Sequence, residues 1–598
     1  AQMAIAKGGT TEDKFTGNVF MTLGDESWKG FKFTTRASAD VANQLYHTWY
    51  PTFWFSSERM NTQANTRDNT DTWFTWMFEN YLSYEKTFAG KHNVSGVVGV
   101  SAKQYTYKYI KTFSGPIFTE DDDFAQHGEV EIDGKVSGNL RDDHSSSYFA
   151  RAAYDYDGKY LFSAIFRRDA TSLLHSNNRW GNFPSVSAGW IVSSEDFWKS
   201  DLINFFKIRA SWGKNGSLSN LEPDQFRSLI VASGIQYPKP GGGFYTGAEP
   251  ELLANPELKW ETSQQLDLGF DMNLLNDRFS VGFDFFNKVT KDLLVPGTPP
   301  PSVGNYAPFV NAGDITNKGV ELELTYRNYD HALRYDISAN ATWMKNEVTY
   351  LNPLLDRVSG ETIGTGWTAT YLELNQPVWY FRGYQTDGIF QNQAEIDAYK
   401  AANGGLTGYN PVPGDPIVVN TNGDNLINNE DQTYIGNPHP KFMWGANLNL
   451  AYANFDMRIF LQGVHGQDIL MGWNRYDRST SNRPQFFFDE RWTGEGSTNE
   501  RPRADQSSPY IYNSDLMIFK GSYVRVRQIQ IGYTLPGKIT NNTLQNLRVS
   551  LSLDDYFTFT KYPGMDPAAS TADDSGLGID RGYYPSPRKI MLGLSVSL

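Results

Sequence analysis

The sequence predicts an all-β chain that crosses a membrane as an antiparallel β-barrel. Three observations predict it. Segment after segment alternates apolar and polar residues with a period of two, which puts the two sets on opposite faces of an extended strand. Aromatic residues make up 15% of the chain, with 34 Tyr, 38 Phe and 16 Trp, as strands and interfacial girdles require. Long polar connections separate strands of ten residues or more, which is not the habit of a compact sandwich. The last stretch, from Arg588, shows the pattern most simply. Ile590, Leu592, Leu594, Val596 and Leu598 form one aliphatic row; Lys589, Met591, Gly593, Ser595 and Ser597 form the other. A soluble sheet buries the aliphatic row. A membrane barrel turns it to lipid and lines its lumen with the small polar row.

Composition narrows the classes. The 598 residues exceed one ordinary soluble core. A net charge of −14 argues against nucleic acid as a partner. With no cysteine there is neither a disulfide framework nor a thiolate metal site. Only 39% of residues are hydrophobic, and no apolar run approaches the roughly 20 residues of a membrane helix. Barrel strands are only half apolar, so this low value does not imply a soluble protein. The opening residues, Ala1 to Gly8, lack a cleavable signal pattern.

In chain order, Phe15–Leu23 and Gly30–Ala39 alternate around a turn at Asp25-Glu26-Ser27. An aromatic cluster follows: Tyr46, Trp49, Tyr50, Phe53, Trp54 and Phe55. It reads either as a stacking platform for sugar rings or as interfacial and loop packing. Strands are expected at Trp73–Glu85 and Val94–Lys108, joined through Ala89-Gly90-Lys91. Tyr148–Tyr156 and Tyr160–Arg168 meet at Asp157-Gly158, a tight-hairpin signal. Further strands read at Ser185–Val192, Phe205–Lys214, 265–274, 279–285, 319–327, 333–343, 442–452 and 547–554. In 523–535 the phase slips between Val526 and Ile529, which a bulge explains. Gln393–Ala402 is the one good helix, with Asn392 as N-cap. The count comes to about 18 strands.

Several stretches carry a family resemblance. They are Ser147–Arg151 through Phe166–Asp169, Asn255–Glu261, Asn311-Ala312-Gly313 with Lys318–Glu321, and Gly388–Gln391. Tyr434–Pro440, Tyr523–Arg527 with Gly532-Tyr533, and Tyr562–Pro567 complete the set. In this order, across about 450 residues, the chain resembles the C-terminal part of a SusC/RagA-type TonB-dependent transporter of Bacteroidetes. The resemblance implies a 22-stranded barrel in the outer membrane, with an N-terminal plug. Residues 1–598 are then expected to be the C-terminal part of the barrel with long extracellular loops, the plug and first strands lying upstream. An open barrel edge in lipid is costly, so the intact polypeptide is expected to extend in that direction. Leu598 departs from the aromatic residue that commonly ends such barrels.

The same resemblance implies TonB-dependent import of oligosaccharides with a SusD-like surface lipoprotein. TonB would act through the absent N-terminal segment, and pairs of transporter and lipoprotein could dimerise. Oligopeptide import, as in the RagA branch, is the alternative within the family. A soluble carbohydrate-binding or glycan-degrading protein and a cargo-free adhesin barrel are alternatives of other classes. Catalysis finds little support: the eight His show no metal-spaced pair, no nucleophile elbow appears, and a hydrophilic lumen accounts for the carboxylate pairs. Candidate ligand contacts are aromatics in or near the long connections: Trp367, Tyr371, Trp379, Trp473, Tyr476 and Phe486–Phe488, together with Trp49 and Trp54. Sugar rings stack on such faces, but packing or partner contact would also place them there. Asn420, Asn422, Asp424 and Asp431 fall at four ligand positions of a calcium-loop pattern. Two are neutral amides and Asn425 stands where the pattern has glycine, so a polar turn is the stronger reading and a calcium loop the weaker.

Overall fold

In the computed structural model, residues 7–24, 26–57, 59–117, 135–219, 221–231, 236–250, 252–297, 302, 304–305, 308–353, 355–364, 366–473, 482–505, 508–536, 546–568 and 574–597 are described. Seventeen long strands belong to one large antiparallel sheet. They are β1 (Lys7–Leu23), β2 (Phe31–Tyr50), β3 (Ala64–Phe88), β4 (His92–Ile117), β5 (Lys135–Tyr156) and β6 (Tyr160–Thr171). Next come β7 (Trp180–Ile191), β8 (Ile203–Ser217), β9 (Glu261–Leu274), β10 (Phe279–Pro296), β11 (Phe309–Asn328) and β12 (Leu333–Leu351). The last five are β13 (Phe442–Tyr452), β14 (Phe455–His465), β15 (Tyr523–Thr534), β16 (Asn546–Thr560) and β17 (Lys589–Ser597). The expected count of about 18 is close. Strand β14, absent from the sequence reading, alternates weakly because Phe460 sits out of phase with Met457, Ile459 and Leu461.

The chain divides into two compact units: Ala1–Ala188 with Trp212–Ser263 and Pro296–Asn311, and Gly189–Ser211 with Gln264–Val295 and Ala312–Leu598. In the first, β1 to β6 pair in sequence order, each antiparallel to the next. Two of the hairpins turn through paired left-handed residues, Ala89-Gly90 and Asp157-Gly158. That is the backbone a two-residue turn needs to follow the strand twist. Strands β3 and β4 run 25 and 26 residues, far beyond the sequence estimate. Their ends are polar and interrupted, so alternation alone does not reveal them. Glycine has a packing role at Gly99, where an added Cβ would lie 2.5 Å from the Phe149 ring, which covers the gap.

In the second unit β11 to β17 pair in the same sequential manner. The register slips opposite Arg527, between Val526 and Gln528. This is the bulge that the phase change predicts. Tight connections at 329–332 and 453–454 alternate with the long ones at 352–441, 466–522 and 561–588. Barrels in outer membranes show this asymmetry, with short turns inside and long loops outside the cell. Helix α1 (Gln393–Ala402) lies in the first long connection with the expected bounds, and Asn392 accepts the Glu395 N–H at 3.1 Å.

Exposure answers which row faces outward. In β16, Leu551 is 47% exposed while its neighbour Ser552 is 2% exposed. In β5, Tyr148 is 56% exposed beside Ser147 at 6%. The apolar side chains run in continuous rows across strands, as at Ile531, Leu551 and Leu592. On the opposite face, Arg548 donates to Asp456 at 2.6 Å. Polar groups are thus inside and aliphatic groups outside, the reverse of a soluble sheet. Among the described residues no helix is long and apolar enough to cross a membrane.

Candidate functional site

The three long connections of the second unit share one hydrophobic core. Ile363, Trp367, Ala369 and Phe381 come from the first connection. Leu470, Ile511, Tyr512 and Met517 come from the second, and Ile579 from the third. Backbone pairing joins them as well. Asp468–Met471 lies antiparallel to Ile518–Lys520 and parallel to Ile579–Asp580. A second cluster of Tyr384, Phe390, Ile396, Leu406, Tyr409, Val418 and Ile427 seats α1 on this module. Burial raises the Tyr384 and Tyr399 hydroxyls to about 12 and keeps both neutral.

Two of the stretches that carry the resemblance meet in a buried ion pair. The Arg525 guanidinium in β15 donates to the Asp566 carboxylate, and both side chains are almost wholly buried. Arg525 also donates to the Thr558 hydroxyl at 3.0 Å. Asp566 accepts the backbone N–H of Ala568 at 2.9 Å and of Ser586 at 3.0 Å. Burial alone would raise this carboxyl, but the backbone donors and Arg525 outweigh it and hold its pKa below the ordinary value. A third stretch, Tyr434–Pro440, anchors the first connection to the second: Asp468 accepts the Asn437 N–H at 3.0 Å. Within that stretch His439 is half-buried, its Nε2 2.8 Å from the Val378 carbonyl. Burial lowers its pKa, against the opposing hydrogen bond.

A four-stranded sheet of Arg357–Ser359, Thr370–Glu373, Tyr380–Gly383 and Thr433–Gly436 presents two unlike faces. Val358, Leu372 and Phe381 are buried on one. Arg357, Glu373, Tyr371, Tyr380, Arg382 and Tyr434 occupy the other. There Tyr380 and Tyr434 stack with centroids 5.6 Å apart. Arg357 and Arg382 lie 6.0 and 5.6 Å from the centroid of the Tyr371 ring. Glu373 accepts the Tyr380 hydroxyl.

The sequence candidates separate on this geometry. Tyr371 belongs to the polar face of this sheet and is half-buried there. Trp367 and Trp49 are buried and offer no free ring to a ligand, so each serves packing. Trp379 is half-buried and lies over Gly360, where an added Cβ would meet its ring at 2.7 Å. Trp473 is half-buried and donates to Asp580 at 3.3 Å. Trp54 is 70% exposed, in a short hairpin of the first unit. Phe486 and Phe487 pack beside the core, whereas Phe488 is exposed beneath Arg491 at 3.6 Å. Tyr476 and Leu598 lie outside the described residues. Arg357, Arg382, Tyr380 and Tyr434 escaped the sequence reading; their alternation with Val358, Leu372 and Phe381 over very short strands was the available signal.

The 420–431 loop is closed by its own hydrogen bonds. Asn420 accepts the Gly423 N–H at 2.8 Å, and Asn422 accepts that of Asp424 at 3.0 Å. Asp424 accepts the Leu426 N–H at 2.7 Å. Asp431 is fully buried and takes the Thr421 and Asn428 N–H groups at 3.0 and 2.9 Å. These donors close a polar turn without requiring a cation. Among the described residues no group of three or more His, Cys, Asp or Glu could hold a metal ion.

Comparison with known proteins agrees with the strand pattern. The family described as TonB dependent receptor-like, beta-barrel, matches residues 7–426. The chain belongs to that family. Family members are outer-membrane proteins and not enzymes, which sets both the location and the non-catalytic character of this chain. TonB-dependent receptor P3 of Formosa agariphila is 29% identical over 582 residues, covering 95% of this chain and 56% of the relative. TonB-dependent receptor SusC of Bacteroides thetaiotaomicron is 27% identical over 463 residues, covering 75% and 43%. The RagAB peptide transporter superposes with a TM-score of 0.80 at 20% identity, over 99% of this chain and 62% of that one. The likeness thus runs to TonB-dependent receptors, SusC among them, and in fold to RagAB. The chain spans about half the length of the curated relatives it matches.

Proposed function

We propose that the chain supplies wall and loops to a TonB-dependent outer-membrane importer of oligosaccharides. The observation that carries the reading is the module of three long connections, set on strands whose apolar rows face outward. Its polar face combines Tyr434, 42% exposed, with Tyr371 and two arginines. Aromatic faces stack sugar rings, and charged side chains bond the hydroxyls. Trp54 of the first unit and Phe488 of the second are exposed aromatic rings as well. In this reading a SusD-like lipoprotein captures cargo with the loops, and TonB drives transport through a plug outside this chain. Pairs of transporter and lipoprotein are free to dimerise.

Oligopeptide import is the second reading, favoured by the likeness to the RagAB peptide transporter in fold. Titration calorimetry of the purified complex against panels of neutral oligosaccharides, acidic oligosaccharides and oligopeptides separates them. Deletion of the gene should abolish growth on one glycan. Binding of peptides alone, with unchanged growth on glycans, would sink the oligosaccharide reading.

A further inference from the structure

The polar face of the four-stranded sheet carries more positive charge than its fold requires. Arg382 is only 8% exposed, and among the described residues its guanidinium donates one long hydrogen bond, from Nη1 to the Asn429 carbonyl at 3.5 Å. Buried guanidinium groups are ordinarily paired with carboxylates. Among the described residues neither Arg382 nor Arg357 forms an ion pair with a carboxylate. The acid on this face, Glu373, accepts the Tyr380 hydroxyl and acts on Arg382 only from a distance, which leaves two cations to one anion. Both guanidinium groups instead converge on the single ring of Tyr371, at 5.6 and 6.0 Å. Burial first, and then the like charge of Arg357, lower the pKa of Arg382. Two like charges are thus held near each other on a chain whose net charge is −14. An anion placed against them would relieve the repulsion and accept several N–H donors in planar geometry. Beside this point the Tyr434 ring stands exposed and backed by Tyr380, so a pyranose ring could stack there while its acidic substituent meets the arginines.

We propose that this face is a subsite for the anionic group, carboxylate or sulfate ester, of an acidic oligosaccharide. The inference rests on the oligosaccharide reading above and narrows its cargo. Arg357 makes the direct contact from its half-exposed position, and Arg382 adds charge from beneath.

The test uses the full polypeptide in detergent and titration calorimetry. The probes are a tetragalacturonate for carboxylate, a sulfated carrageenan tetrasaccharide for sulfate, maltotetraose as the neutral sugar, and an acidic tetrapeptide. One of the two anionic sugars should bind at least about tenfold tighter than maltotetraose, and added salt should reduce that advantage. Arg357→Gln should remove the advantage with the melting temperature unchanged, and Arg357→Lys should restore part of it. Tyr434→Ala should weaken neutral and acidic sugars alike, and it avoids disturbing buried Arg382. Equal affinity of wild type and Arg357→Gln for both anionic sugars would overturn the subsite. So would the failure of every probe to bind. Binding of maltotetraose without preference for charge removes the subsite and leaves oligosaccharide import standing. Binding of the acidic peptide alone removes both.

Discussion

The strands and the loop module of the second unit solve opposite solvent problems with the same residue types. In the strands, Ile531, Leu551 and Leu592 form an exposed row and Ser550 and Ser552 are buried. In the module, Phe381, Leu470 and Ile579 are buried at the meeting point of three connections. The first arrangement needs lipid outside; the second needs only water around it. Burial alone is therefore no guide to what holds a residue in place. The solvent beyond it decides.

Substitutions should separate the two regions. Phe381→Ala should cost about 3–5 kcal/mol of module stability by leaving a cavity in the shared core. Limited proteolysis should then cut the long connections while the strand signal in circular dichroism persists. Leu551→Arg should do the converse. It should cost about 2–4 kcal/mol near the bilayer midplane, read as reduced folding into vesicles, and leave the module protease-resistant. Asn392→Ala removes a helix cap and should cost about 1 kcal/mol, seen as faster hydrogen exchange confined to α1. A smaller effect should come from pH. Burial depresses the folded pKa of His439, so the unfolded chain binds its proton more readily. That contribution is complete above about pH 6.5 and fades as pH drops below it. His439→Gln should flatten the decline in module stability between neutral and mildly acidic buffer. Smallest of all, calcium or a chelator should move the melting temperature by less than about 1 °C, because backbone N–H groups already close the 420–431 loop. A rise that saturates with calcium would instead support the metal reading of Asn420, Asn422, Asp424 and Asp431.

The strands were legible because a period of two, once fixed by lipid, is repeated in many places. The Asp157-Gly158 hairpin, the bulge at Arg527 and the helix from Gln393 each rest on a local rule, and each stands where that rule puts it. The module was not legible. Its strands span as few as two to four residues, and their partners lie far apart in sequence, as Leu470 and Ile579 do. Trp367 thus read as a loop aromatic open to stacking or packing, and it is buried in a core that only three distant segments complete. The Arg525–Asp566 pair shows the same limit from another side. Both stretches carried the family likeness, yet nothing local to either reveals that they touch.

The shared core also bears on any attempt to exchange the long connections. Grafting one long connection from a relative would leave its hydrophobic residues facing the wrong neighbours. A donor would have to lend residues 352–441, 466–522 and 561–588 together, with Arg525 retained beneath them to receive the third. On the importer reading proposed above, cargo preference should therefore be inherited as a block and seldom drift one loop at a time.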